Sequence, residues 1–171
     1  MRFPVNLKII SLCLFGTTLM GCVPKYSQSV PSDSAATIHA FDPHVGYGSN
    51  NFFAWHSSPD CKRMQGEGRI ASLHLLSKSE DVAMVAAGKR GFLFAHRHGI
   101  SDIRGAVGGG SEIVNAVCRR VVSFVPRAGA TYKVHMSDLP SCELVVIDQQ
   151  TGVSPQDLVQ HEVAGRCTQE P

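Results

Sequence analysis

The clearest pattern of apolar and polar positions lies late in the chain. Thr131-Tyr132-Lys133-Val134-His135-Met136 alternates strictly, which places Tyr132, Val134 and Met136 on one face of a strand. Val121-Val122-Ser123-Phe124-Val125 precedes it, followed by the turn Pro126-Arg127-Ala128-Gly129, where proline presets φ and glycine accepts a positive φ. After it come Ser137-Asp138-Leu139-Pro140 and a further apolar run over residues 142–148. The three segments predict an antiparallel meander. Shorter runs at 36–41, 70–76, 82–86 and 91–96 recur between turn signals about ten residues apart, the pattern of an all-β chain. Residues 102–116 contain Gly105 and Gly108-Gly109-Gly110 and read as a long mobile connection. Ser154-Pro155-Gln156-Asp157 offers an N-cap, a proline at the first helical position and an acid in the first turn. A short C-terminal helix to about Val163 is therefore expected beside a mainly β fold, an antiparallel β-sandwich of about seven to eight strands.

The amino terminus has a different pattern. Arg2 and Lys8 precede an uncharged run from Ile9 to Met20, too short for a helix across a bilayer, which takes about 20 residues. Length and flanks fit the apolar region of a secretory signal. The run ends in Leu19-Met20-Gly21-Cys22, which resembles the lipobox of bacterial lipoproteins. The resemblance implies cleavage before Cys22, lipidation of Cys22 and attachment to a membrane through its acyl chains. Val23 follows Cys22, where many lipoproteins of the inner membrane carry Asp, so the resemblance points to the outer membrane and its periplasmic face. Residues 1–21 then form a signal peptide, 22–35, rich in Ser and Pro, a lipidated flexible tether, and 36–171 the β-sandwich domain.

Composition narrows the functional classes. The 171 residues carry a formal net charge of +2, from 16 basic and 14 acidic side chains. Without Arg2 and Lys8 the balance is 14 against 14, so no charge excess points to nucleic acid.

A second resemblance lies in the meander. Phe124-Val-Pro126-Arg-Ala-Gly129-Ala-Thr-Tyr132-Lys-Val134, with Cys142 and Asp148-Gln-Gln-Thr151-Gly152 beyond it, is similar to strings in small transthyretin-like or carboxypeptidase-regulatory-like β-sandwich domains of bacterial envelope proteins. It covers about 30 residues, implies a sandwich, and marks hairpin geometry rather than a site.

Besides Cys13 in the signal and Cys22, four cysteines remain: Cys61, Cys118, Cys142 and Cys167. An even number in an exported domain reads as a disulfide framework with three formal connectivities. Placement along the chain favours Cys61–Cys118 and Cys142–Cys167. No C-x-x-C spacing supports zinc.

Candidate sites are few. His96 and His98 share a strand face roughly 7 Å apart and could chelate a metal with His135 or His74 as a third ligand, although Phe92 and Phe94 on that face also fit a half-buried surface. Tyr47, Phe52, Phe53 and Trp55 gather four aromatics in one stretch, read as a recognition loop or as a plug for one end of the core. Neither a nucleophile elbow nor a phosphate loop is present, and Glu80-Asp81 reads as a solvated turn. The expectation is a non-enzymatic envelope lipoprotein without a cofactor. It would bind a protein partner as an accessory subunit of a membrane assembly such as a secretion system. The alternatives are a small-ligand or cell-wall glycan module, and a metal-binding protein or enzyme centred on His96 and His98.

Overall fold

The computed structural model of the chain describes residues 25–43, 50–59, 67–74, 78–105, 111–137 and 141–163. After a single 3-10 turn at Ser32–Ser34 these residues form β1 (Ala35–Phe41), β2 (Asn50–His56), β3 (Gly68–His74), β4 (Glu80–Ala86), β5 (Gly91–Gly105), β6 (Ser111–Phe124), β7 (Thr131–Met136), β8 (Leu144–Asp148) and β9 (Val159–His161). Two sheets, ordered β4-β1-β7-β8 and β3-β2-β5-β6-β9, form a β-sandwich. Every pairing is antiparallel except β1 with β7, which is parallel.

Alternation builds the core. Tyr132, Val134 and Met136 of β7 point inward and are buried, as their spacing predicts, against Phe53, Leu93 and Phe124 from the facing sheet. Rings join the layers: Trp55 meets Phe124 edge-on at 5.5 Å between centroids, and Phe124 meets Tyr132 at 4.9 Å. Tyr26 also enters this core, and its N–H bonds the Arg69 carbonyl at 2.7 Å. Packing therefore begins inside the stretch read as the tether 22–35.

Several expectations are corrected. The segments around 121–125, 131–136 and 142–148 do not make one meander, because β6 belongs to one sheet and β7 with β8 to the other. Pro126 lacks the N–H a ladder needs, and Gly129, at φ 73°, turns the chain across the sandwich. The Tyr132 hydroxyl accepts the Arg127 N–H at 3.0 Å and pins that corner. Residues 102–105 and 111–116 are paired strand rather than loop, with Asp102 opposite Val114 and Gly105 opposite Ser111. In place of the C-terminal helix, the chain turns at residues 156–157 and adds β9 to the sheet edge. Leu158, Val159 and Val163 lack helical spacing, and Asp157 is held by Arg90 at 3.0 Å.

The disulfide framework also differs from expectation. Cys118 of β6 is bonded to Cys142, which stands just before β8, with Cα atoms 5.9 Å apart. That separation lies inside the usual disulfide span of about 4.4–6.8 Å. The Cys61–Cys118 and Cys142–Cys167 pairs are thus replaced, because the crossing from β6 to β8 brings two cysteines 24 residues apart together between the sheets. Cys142 adopts a left-handed φ of 56° there. Cys22, Cys61 and Cys167 lie outside the described residues.

Candidate functional site

The longest strands build the most prominent surface. β5 and β6 pair along their whole length, but β2 follows β5 only as far as His98. Beyond it, six residue pairs from Gly99↔Ala116 to Gly105↔Ser111 form a two-stranded ribbon projecting past the sheet. On β6 its outward positions are Ile113, Asn115, Val117 and Arg119, of which Ile113 is 55% and Val117 49% exposed. At the base stand Arg119 and Arg120, whose guanidinium donates to the Arg119 carbonyl at 2.9 Å, and the register places His96 opposite Arg119 and His98 opposite Val117. Exposed Ile113 and Val117 next to Arg119 suit recognition of a surface with the complementary pattern.

A second feature is a groove of about 520 Å³ at the corner made by Pro126–Tyr132 and the turn after β8. Val125, Tyr132, Val153 and Pro155 give it apolar walls, with Arg127 and Asp148 at its polar side. The Arg127 guanidinium donates to Asp148 Oδ2 at 2.5 Å, and the Gln150 N–H donates to Asp148 Oδ1 at 2.9 Å. Burial would raise the Asp148 carboxyl, but the Arg127 hydrogen bond and the Gln150 backbone outweigh it and hold it below its ordinary value. The hydrogen bond from Arg127 to Asp148 correspondingly raises the guanidinium. Tyr132 and Asp148 together fix this corner.

Ser123 Oγ and His161 Nε2 lie 2.8 Å apart, the spacing of a nucleophile and its base. Ser123 is fully buried, and Arg90 Nη1 also donates to its oxygen at 3.0 Å. This geometry, with Ser123 buried beneath the strand, ties β9 to the sheet.

The residues singled out from sequence separate as follows. Phe52, Phe53 and Trp55 lie on β2, an interior strand of the five-stranded sheet, and not in a loop; Phe53 and Trp55 face the core. Phe52 packs with Phe94 on the outer face, rings 6.3 Å apart. Tyr47 lies outside the described residues. His96 is half-buried and His98 exposed on that outer face. Asn50 stands between His98 and His74, two strand spacings or about 10 Å from one to the other. His135 is on the opposite sheet, its ring 4.9 Å from Phe41. Neither His74 nor His135 joins His96 and His98, and no group of three or more metal-ligating side chains occurs among the described residues.

Sequence reasoning missed the ribbon. Its signal was the alternation of Ile113, Asn115 and Val117, obscured by the glycines that follow Gly105. Comparison with protein-family models and with curated proteins finds no match.

Proposed function

We propose that the chain is a lipid-anchored envelope lipoprotein. Cys22 would tie it to the periplasmic face of the outer membrane, and its sandwich would bind a protein partner without catalysis, as an accessory subunit of a membrane assembly. The projecting ribbon carries this reading. An isolated two-stranded hairpin is at best marginally stable in water, so a ribbon exposing Ile113 and Val117 gains most from a partner that covers it. The lipobox supports the location and Arg119 and Arg120 the chemistry: the partner offers apolar side chains flanked by carboxylates.

The test is recovery of the tagged chain from crosslinked membranes. The unaltered chain should bring down a reproducible envelope protein, and Ile113→Asp with Val117→Asp should lose it while keeping the β-rich circular dichroism. Failure to recover any reproducible partner with the unaltered chain would refute the reading. Cys22→Ala should move the protein from the membrane fraction to the soluble one.

The corner groove favours a second reading, a small-ligand or cell-wall glycan module. Calorimetry with peptidoglycan fragments on the unaltered chain and on Val153→Trp, which fills the groove, separates the two. Heat lost in the variant supports the ligand module, and no heat in either chain dismisses it.

A further inference from the structure

β4 closes one side of the four-stranded sheet, and no strand among the described residues lies beyond it. Natural edge strands are commonly blunted by lysine, proline or a bulge. β4 reads Glu80-Asp81-Val82-Ala83-Met84-Val85-Ala86, with charge only in its first two positions. Its register with β1 sets Val82 opposite His39 and Met84 opposite Thr37. Both side chains face outward, 58% and 52% exposed, while Val85 is buried and Ala83 packs against the core. Tyr26 stands beside the Ala86 backbone at one end of β4. Residues 81–85 remain.

That segment is self-complementary. A two-fold axis through Ala83 sets Val82 of each copy against the partner's Met84, so the two exposed apolar side chains cover each other twice. The charges are sorted as well. Glu80 and Asp81 stand at the start of β4, and the exposed Lys89 just past its end. Antiparallel pairing therefore brings each acidic end towards the partner's Lys89. Glu80 meets His39 at 2.9 Å and Asp81 meets Lys78 at 3.4 Å. Pairs this exposed contribute at most about 1 kcal/mol and can be shared with a neighbour.

We infer that β4 is a homodimer interface. Two copies pair β4 to β4, antiparallel over residues 81–85, in the isologous arrangement that a two-fold axis requires, and the two four-stranded sheets become one continuous sheet. Nothing in this depends on what the β5–β6 ribbon binds.

The test expresses the full chain in two differently tagged forms, Val82→Cys and Met84→Cys, in the same cells. Membranes are oxidised and resolved without reductant. Directly opposed residues have Cα atoms about 4.5–5.5 Å apart, inside disulfide reach, whereas Val82 and the partner's Val82 are diagonal neighbours at roughly 7–8 Å. The expected result is a covalent dimer carrying both tags, absent when either form is expressed alone. Three results overturn the inference: no more dimer in the mixture than in the single forms, self-linking of either form as readily as the mixture, or linkage to a different protein instead. Sedimentation of the full chain in detergent gives a second readout. The unaltered chain should sediment as a dimer and Met84→Asp, altered at an exposed position, as a monomer; an unaltered chain that sediments as a monomer also overturns it.

Discussion

Gly91 shows what a single hydrogen atom in place of a side chain permits. A Cβ on this residue would stand 1.9 Å from Cζ2 of Trp55, so the indole lies directly over the glycine backbone. Gly91→Ala should therefore displace the ring from Phe124 and cost about 1–3 kcal/mol or more, as overpacked cores do. Trp55 is the sole tryptophan, so urea unfolding followed by its fluorescence reads both the stability and the ring's surroundings. Asp148 acts through its charge. Its carboxyl titrates below the ordinary range, and the stability it contributes is fully present above about pH 4 and lost as pH falls through the lowered value. Asp148→Asn should be less stable than the unaltered chain near neutrality and should lose less on acidification, measured as denaturation midpoints from about pH 5 downward. A steeper acid dependence in the variant would contradict this assignment.

Among the elements, those with one buried face were legible in the sequence. β1, β4, β7 and β8 alternate and were located to within about two residues. β2 was not, because it is interior to its sheet and its outer face is covered at Ala54, so Phe52-Phe53-Ala54-Trp55 shows no alternation and resembles an aromatic loop. The ribbon half of β5 and β6 was hidden by Gly105 and Gly108-Gly109-Gly110, a loop signal in the sequence that outweighed the alternation of Ile113, Asn115 and Val117. Tyr132 and Asp148 could be read as hairpin markers, but not the groove between them, since it arises where the chain changes sheets. The disulfide depended on that same crossing. Because Cys118 and Cys142 join one sheet to the other, Cys142→Ala should cost roughly 3 kcal/mol in the chain-entropy description of a loop of this length. Denaturant unfolding with and without reductant checks it: reductant should destabilise the unaltered chain more than the variant.

At the scale of the molecule, the sequence disclosed a class of fold and a proposed address, and gave little of the surface that would carry activity. Binding surfaces here come from how far strands extend past their neighbours, and apolar periodicity does not encode that. The parallel pairing of β1 with β7 has a consequence for how this protein reaches its native state. Thr37 lies beside Thr131, 94 positions later in the chain (131 minus 37), and β1 is an interior strand of its sheet. No local hairpin can stand in for that contact, so the four-stranded layer can close only after nearly the whole domain has been delivered. The loop-closure entropy of so distant a meeting falls before the contact rewards it, which places refolding in the slow regime of β-sandwiches, on the order of milliseconds to seconds. Until then the facing edges of β1 and β7 are open to any strand that arrives first.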